Sequence, residues 1–554
     1  MDTRKYNIYF HTHTISGIII AALLYVIFFA GSFSFFKDDI SAWQKGKSAV
    51  ARKINPDYNF LFDSLSQHHN LRGRNFDFYV LRQGHGTYVN MSASQDTTIS
   101  KPKPKKKERA RGRGRGGDDD SAYFLFYFGD KTPTTYAEGY DMGEFLYRLH
   151  FLAQLNQIGI NIGTPFGYLV AGIVSFMFLF ALITGLLLHW DKIKSNFFVF
   201  RPWSKWKTVW TDMHTALGVI GFPFQLIYAI TGLVLIVNVV LVAPFSKLLY
   251  DGDSEKLYER LQYSRSMKTE YSYQPMSASF DMNTFVGKWQ KEIEGGQISR
   301  IHIGSYLDQN MQVSMETKPD PKAGFAGSGF VRVDIASGKV LEQKSLTADT
   351  GYIDWVKSLI YHLHFGDFGG TPLRIVFFIL GLMGCVVITS GIMIWLVARD
   401  KTNIPVHKRR FNFWASNVFL AACLSMLPVT AFTFVMLKTL PHIDQAVIYR
   451  VYFYSWLILG LYFIFRKDLP LMNRQSLLLS AISCFAVPLA NGFSSGLWIW
   501  NTWKQGAFDI LFIDLLFLVL AGICALAYQK VKNQAKPFTI LSMKSARKLE
   551  KDPV

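Results

Sequence analysis

Eight apolar stretches most constrain what this chain can fold into. Each is long enough to cross a bilayer as a helix, which takes about 20 residues. Charged residues make up only 18% of the 554 residues, whereas a soluble domain usually carries about 25%. The sequence therefore predicts a polytopic α-helical membrane protein and excludes a disordered chain. The stretches run approximately over 15–36, 165–190, 217–242, 373–397, 413–437, 446–465, 476–492 and 508–528, and the seventh is the weakest because Pro488 interrupts it.

Basic residues are unevenly distributed among the segments that join these stretches. Lys and Arg cluster before the first stretch and after the second, fourth, sixth and eighth, whereas the short loops on the other side carry little charge. Cytoplasmic loops of membrane proteins are enriched in Lys and Arg, so we expect both termini in the cytoplasm. The net charge of +19 then comes from these loops and from one basic tract, and we expect no nucleic-acid partner.

Two long segments, 37–149 and 243–360, are expected on the outer side of the membrane. They contain strand-like runs at 76–81, 122–128, 311–315 and 330–335, and the last run is followed by a turn that predicts a hairpin. Each segment is predicted to form a soluble domain that contains strands. The tract 101–121, KPKPKKKERARGRGRGGDDDS, cannot bury a core and predicts a disordered insertion, which could contact membrane lipid.

These boundaries divide the chain into seven parts. Residues 1–36 hold the first helix, 37–149 the first outer domain, 150–242 the second and third helices, and 243–360 the second outer domain. Residues 361–400 hold the fourth helix, 411–530 a four-helix extension, and 531–554 a tail.

The first four helices carry an internal repeat that contains histidines. HTxxG occurs at His13 and again at His214, each with a second glycine 18 residues further on, and YxLHF occurs at His150 and again at His364. The second and fourth stretches end in matching ITG and ITSG sequences. A helix–domain–helix unit is therefore predicted to occur twice, in parallel copies related by a pseudo-two-fold axis along the membrane normal.

This repeat predicts two histidine pairs at matched depths. His13 and His214 are expected to begin their helices near the cytoplasmic face, and His150 and His364 to precede theirs near the outer face. Paired imidazoles across a helical bundle suit bis-histidine haem, and the glycines would allow close approach to a flat macrocycle. His189, His362 and His11 are second choices. The histidines at 68, 69, 85, 302, 407 and 442 lack repeat partners and are expected on the surface or in loops.

The four cysteines, at 385, 423, 484 and 524, lie within apolar runs and form no CxxC motif. We therefore expect buried structural thiols rather than a disulfide framework or a zinc site.

Residues 6–400 resemble the PepSY-associated transmembrane proteins of bacterial inner membranes. The resemblance rests on HTHTISG at 11–17, the Leu-His before the second helix, DMHTALG at 212–218, LHFGDFGG at 363–370 and VDIASGKVL at 333–341. It implies α+β PepSY modules in the two outer, periplasmic segments and two haem b groups on His13, His150, His214 and His364. It also implies that some members reduce the iron of ferric siderophores in the periplasm. The basic insertion and the helices after residue 410 depart from the family pattern.

The resulting hypothesis is an oxidoreductase that conducts electrons through the membrane to a ferric chelate. No flavin or nicotinamide motif occurs in a suitable context, and the loops between helices are too short for a Rossmann domain. The electron donor must therefore be external, either on the cytoplasmic side or in the membrane pool. Two alternatives stay open. One is a transporter for iron-siderophore or a related solute, for which Asp509 and Asp514 would be the main coupling residues. The other is a non-enzymatic peptide-binding or regulatory protein.

Overall fold

The computed structural model describes most of the chain. The described residues are 2–51, 55–81, 84–98, 121–160, 165–198, 201, 204, 206–253, 256–257, 260, 269–277, 279–292, 296–319, 327–346 and 351–533. All of the predicted basic insertion except its last residue, and the tail from 534 onward, lie outside the described residues.

The chain folds into two compact units. One comprises Met1–Ala51, Asp141–Val240 and Arg374–Val554, and the other Arg52–Tyr140 and Leu241–Leu373. The first is helical and holds the membrane helices, and the second is built on a β-sheet.

Helices make up most of the described residues. Eight of them, α1, α5, α7, α10, α11, α12, α13 and α15, are long and apolar enough to cross a membrane, so the predicted multi-pass architecture is confirmed. The helices are α1 (Thr3–Ser34), α2 (Lys37–Lys45), α3 (Tyr58–Ser66), α4 (Met142–His150), α5 (Phe166–His189), α6 (Ile193–Phe198), α7 (Trp206–Tyr250), α8 (Met282–Glu292), α9 (Tyr352–Phe365), α10 (Gly370–Arg399), α11 (Val406–Thr439), α12 (Gln445–Arg466), α13 (Leu469–Ser495), α14 (Ile499–Lys504) and α15 (Phe508–Lys532).

Several helices begin earlier than the apolar pattern predicts. The expectation that His13 and His214 begin their helices is wrong, because α1 starts at Thr3 and α7 at Trp206. The polar residues ahead of His13 are compatible with a helix, and the Asp2 side chain caps α1 by accepting a hydrogen bond from the Arg4 backbone N–H. Both histidines therefore lie two to three turns inside a helix, where the backbone fixes their direction.

The second unit contains one antiparallel sheet of eight strands. Its order is β4-β3-β2-β1-β5-β6-β7-β8. The two outer segments thus contribute four strands each to one sheet, which is continuous because β1 pairs with β5, with Phe76 opposite Ile303. The strands are β1 (Phe76–Val80), β2 (Gly86–Met91), β3 (Ala122–Tyr127), β4 (Thr132–Thr135), β5 (Gln297–Gly304), β6 (Gln312–Lys318), β7 (Gly329–Asp334) and β8 (Val340–Lys344).

The sheet buries one face under helices α3 and α8. Phe76 and Phe78 of β1 alternate inward and pack with Phe62 of α3 and Trp289 of α8 in a single apolar core. The predicted hairpin is confirmed, because β7 and β8 pair antiparallel. Aromatic residues give this small core a large buried area.

The helices after residue 410 form a bundle within the first unit. Helix α11 packs against α12 and α13, and α13 packs against α15. Helix α13 continues through Pro488, which is buried, so the proline does not end the seventh membrane helix. All four cysteines are buried and unpaired, as the sequence predicts.

Candidate functional site

His13 of α1 and His214 of α7 face each other inside the first unit. Their ring centroids are 6.0 Å apart, with an angle of 66° between the ring planes, and both side chains are half-buried. The repeat predicts this pairing, and the geometry brings the two residues together. We call this pair the inner histidine pair.

Each ring of the inner histidine pair is oriented by a backbone carbonyl. His13 Nδ1 lies 2.8 Å from the Ala181 oxygen of α5, and His214 Nδ1 lies 2.8 Å from the Val387 oxygen of α10. A carbonyl oxygen only accepts hydrogen bonds, so Nδ1 carries the proton in both rings. In the neutral ring, Nε2 then keeps its lone pair. This arrangement is the usual one for a metal-binding imidazole.

A glycine lies against each ring of the pair. A methyl group added at Gly185 would lie 2.9 Å from His13 Cε1, and one added at Gly391 would lie 3.1 Å from His214 Cε1. The sequence indicates that these glycines admit a macrocycle, but in the structure the space they leave is taken by the imidazole rings. The glycines therefore fix where each ring can lie.

A hydroxyl group supports each acceptor carbonyl. Thr184 Oγ1 donates to the Ala181 oxygen at 3.1 Å, and Ser390 Oγ donates to the Val387 oxygen at 2.9 Å. The two arrangements are equivalent in the two copies of the repeat, because each hydroxyl residue directly precedes its glycine. The duplication thus extends from the histidines to their hydrogen-bonding surroundings.

His150 repeats this arrangement at another level of the first unit. It is the last residue of α4, and its Nδ1 lies 2.8 Å from the Ile27 oxygen of α1. A methyl group added at Gly31 would lie 2.5 Å from the same nitrogen. Burial lowers the pKa of His150, although the hydrogen bond to the carbonyl opposes this effect. The ring is therefore neutral at neutral pH and has the same tautomer as the inner pair.

The two histidine levels are separated along α1. His13 and Ile27 are 14 residues apart in this helix, which corresponds to about 21 Å at a rise of 1.5 Å per residue. A hydrocarbon core is about 30 Å thick. The distance between the two levels therefore exceeds half of that thickness.

The remaining histidine candidates have different surroundings. His364 lies at the C-terminal end of α9 in the second unit, beside Phe365. His362 Nδ1 lies 2.6 Å from Asp367 Oδ1. His189 ends α5, close enough to interact electrostatically with His13 and His214. His11 is exposed on the first turns of α1. Neither His11 nor His362 lies against a glycine methyl position in the described chain.

A buried ionic network holds the helix that bears His150. Glu144 of α4 forms ion pairs with Lys37 of α2 at 2.5 Å and with Arg148 of α4 at 2.6 Å. Burial alone would raise the pKa of Glu144, but Lys37 and Arg148 more than reverse this effect and hold the pKa at about 2. Asp141, which caps α4, accepts hydrogen bonds from Ser41 at 2.6 Å and Lys45 at 2.9 Å of α2. Helix α2 thus fixes α4 in place.

The two imidazoles of the inner pair could hold one metal centre, because their ring centroids lie 6.0 Å apart and each Nε2 keeps its lone pair. In the described part of the chain no group of three or more His, Cys, Asp or Glu side chains could hold a bare metal ion. Two imidazole donors are a set that haem iron accepts.

A family model for the PepSY-associated TM region matches residues 10–398. The chain belongs to this family. The match begins within α1 and ends at the last turn of α10, so it includes the membrane helices α5 and α7 and all eight strands, and it ends before α11. No curated protein matches the chain.

Several residues around the inner histidine pair and His150 could not be identified from the sequence. The acceptor carbonyls of Ala181, Val387 and Ile27 belong to apolar residues whose side chains give no signal of the role. One regularity was available, since each acceptor is four residues before the glycine that lies against the ring. The expectation that His302 lies on the surface or in a loop is wrong: it is part of β5 and only 12% exposed, with Nδ1 2.9 Å from Asp77 Oδ1.

Proposed function

We propose that this protein conducts electrons through the bacterial inner membrane on two haem b groups and reduces ferric iron in the periplasm. The substrate class is ferric chelates, ferric siderophores above all. The observation that supports this proposal most directly is the inner histidine pair, His13 and His214, with two opposed imidazoles of matched tautomer.

The proposed ligands follow the repeat. His13 and His214 would hold one haem, and His150 would contribute a ligand to a second; the sequence repeat makes His364 a further ligand candidate. Haem iron with two imidazole ligands cycles between the ferric and ferrous states and so supplies one-electron transfer. The two histidine levels along α1 would then serve electron transfer from one side of the membrane toward the other.

The protein's own residues do three things in this proposal. The carbonyls of Ala181, Val387 and Ile27 hold the protons on Nδ1, so that Nε2 is the atom offered as a ligand. These hydrogen bonds also make the imidazoles more basic ligands, as second-shell acceptors do. Packing of each ring against a glycine limits its rotation, which favours one ligand geometry in both redox states.

The overall reaction is a one-electron reduction of iron. An external donor on the cytoplasmic side or in the membrane pool gives up one electron, and chelated iron(III) accepts it to become iron(II). Siderophore oxygens are hard ligands that bind iron(II) far less tightly than iron(III), so reduction releases the metal. In the proposed topology both termini are cytoplasmic, as the basic loops indicate, and the eight-stranded sheet lies on the periplasmic side.

The visible absorption spectrum tests the proposal. The full-length protein, purified in detergent, is expected to show a Soret band that shifts on reduction with dithionite and is restored when a ferric siderophore is added. His13→Ala and His214→Ala should each remove the same part of the haem content. His442→Ala is the matched control, because His442 is exposed and outside the repeat.

Two results would refute this function. A protein purified with haem available that shows no Soret band would exclude haem-based electron transfer and favour transport or peptide binding. A Soret band that is unaffected by His13→Ala and His214→Ala would show that haem binds elsewhere. A third result would reject only the substrate class and leave electron transfer standing: haem that dithionite reduces but that ferric chelates never reoxidise.

A further inference from the structure

A buried carboxylate lies in the helical bundle that follows the family region. Asp514 of α15 has no exposed surface. It accepts a hydrogen bond from Trp43 Nε1 of α2 at 2.7 Å and another from Asn491 Nδ2 of α13 at 2.9 Å. Both donors are neutral and also fully buried. A carboxylate within a membrane helix is costly, and such residues commonly mark functional sites.

The nearest cation does not pair directly with this carboxylate. Lys438 of α11 donates to the Trp43 backbone oxygen at 2.5 Å and lies 4.6 Å from the centroid of the Trp43 ring. Trp43 is therefore bonded on one side to the ammonium group and on the other to the carboxylate. This geometry leaves the negative charge of Asp514 balanced at a distance rather than neutralised by contact.

The other charged groups around Asp514 are engaged elsewhere or lie at helix ends. On α2, Lys37 and Lys45 pair with carboxylates of α4, and Asp39 pairs with Arg374 at 2.6 Å. Further charged residues of the neighbouring elements are Asp38 on α2, Asp509 on α15 and Lys504 at the end of α14. Asp509 accepts from Ser48 Oγ at 2.5 Å and from the Ala49 backbone N–H at 2.9 Å.

We propose that Asp514 is a proton-binding site of the C-terminal bundle and that its protonation loosens helix α2. When Asp514 is ionised, its bonds from Trp43 and Asn491 are charge-assisted, and such bonds are roughly twice as strong as neutral ones. Proton uptake from solvent converts the carboxylate into a neutral acid, and the bond from Trp43 becomes a neutral one. Asp514 thereby controls how firmly Trp43 anchors α2.

A proton suits this site better than a metal cation. Among the three side chains joined here, Trp43, Asn491 and Asp514, only Asp514 carries charged oxygens. The Asn491 side-chain oxygen already accepts from Ser495 Oγ at 3.0 Å. Hard cations such as Na⁺ or Ca²⁺ require several oxygen ligands. The consequence reaches beyond the bundle, since α2 also holds α4 through Asp141 and Glu144.

Infrared difference spectroscopy on the full-length protein in lipid tests the proposal without any use of haem. Lowering the pH should produce the C=O stretching band of a protonated, buried carboxylic acid. This band should be lost in Asp514→Asn and retained in Asp509→Asn, which makes the same change at a second buried carboxylate of the same helix. Lys438→Met removes the nearby cation and should raise the midpoint of the band by about one pH unit or more.

Hydrogen–deuterium exchange gives the second measurement. Protection factors at the backbone amides of α2, which correct for the intrinsic pH dependence of exchange, should fall several-fold as the pH falls through that midpoint, and Asp514→Asn should show the low protection at every pH. If Asp514→Asn does not fold, Asn491→Ala serves in its place and should raise the midpoint, because it removes one donor. A band that survives Asp514→Asn, a midpoint unchanged in both Lys438→Met and Asn491→Ala, or a midpoint that follows the Na⁺ concentration would overturn the proposal.

Discussion

The glycine beside His150 offers the sharpest test of how this chain positions its histidines. In Gly31→Ala, the new methyl group would lie 2.5 Å from His150 Nδ1 and 2.7 Å from Cε1. Ordinary van der Waals contact begins near 3.4 Å, so the ring has to move by almost 1 Å. Such a movement breaks the 2.8 Å hydrogen bond from Nδ1 to the Ile27 oxygen.

The magnitude follows from that bond. A buried donor left without its acceptor costs about 1–3 kcal/mol, whereas alanine in place of glycine within a helix stabilises it by about 0.5–1 kcal/mol. Gly17→Ala is the matched control, because no atom lies within 4 Å of its new methyl group on the same helix. We therefore expect Gly17→Ala to be neutral or stabilising. The two variants should differ in ligand affinity at the outer level by about 5- to 150-fold, the factor that corresponds to 1–3 kcal/mol.

Haem titration of the two purified variants, together with thermal unfolding, measures this difference. Gly31→Ala should lose or weaken one haem and keep the other, while Gly17→Ala should keep the full content. Equal haem affinity and equal thermal stability in the two variants would show that Gly31 does not constrain the position of the His150 ring.

Four further predictions concern other parts of the molecule. Gly185→Ala and Gly391→Ala should each lower haem affinity at the inner pair, and the double variant should lose less than the sum of the single losses, as residues of one site do. Glu144→Gln should lose on the order of 3 kcal/mol of stability at pH 7, since Glu144 has its pKa held at about 2 against a usual 4.5. This stabilisation is present above the usual pKa and disappears as the pH falls toward 2. Chemical denaturation should therefore show a smaller stability difference between the variant and the original protein at pH 3 than at pH 7. Asp77→Asn should likewise lower the free energy of unfolding at pH 7, by about 2 kcal/mol. Burial raises the pKa of Asp77, but His302 and Arg300 outweigh burial, and the pKa falls to about 2. None of the four cysteines should react with a thiol reagent in the folded protein, since all are buried, and mass spectrometry measures this directly.

The controls for these predictions lie on the same elements. Gly218→Ala has open space around its methyl position and should leave the inner haem unchanged. Asp444→Asn removes the charge of a capping carboxylate outside the ionic network and should not reproduce the acid dependence of Glu144→Gln. If the Glu144 difference stayed constant between pH 7 and pH 3, the ion pairs with Lys37 and Arg148 would not be its source. Labelling of any cysteine at the rate of an exposed thiol would contradict the packing around it.

The fold could be predicted from the sequence where local pattern decides it. Apolar length determined the eight membrane helices, and alternation in Phe330–Asp334 determined the β7–β8 hairpin. The pairing of β1 with β5 could not be predicted, because the two strands are more than 200 residues apart and nothing local specifies which edge a strand joins. The same holds for α2, a helix of nine residues whose place is determined by long-range bonds to α4 and α15 rather than by an apolar period.

The site was predictable as far as the repeat extends into side chains. The repeat paired His13 with His214, but the carbonyls that orient the rings became evident only when α5 and α10 were packed beside α1 and α7. This limit is general, since a backbone acceptor has no residue type of its own.

The glycine four residues after each acceptor carbonyl has a physical cause. In a helix, the carbonyl of one residue accepts the N–H of the residue four positions later, and one of its two lone pairs remains available. Each Cβ tilts toward the N-terminus of its helix, so the Cβ four positions later covers the approach to that second lone pair. A glycine there uncovers the carbonyl, and an imidazole can donate to it while the Nδ1–Cε1 edge of the ring packs against the helix. This is the arrangement at Ala181 with Gly185, at Val387 with Gly391, and at Ile27 with Gly31. The glycines of the repeat therefore encode the direction of the histidine rings, which is why a histidine and a glycine on different helices are repeated together.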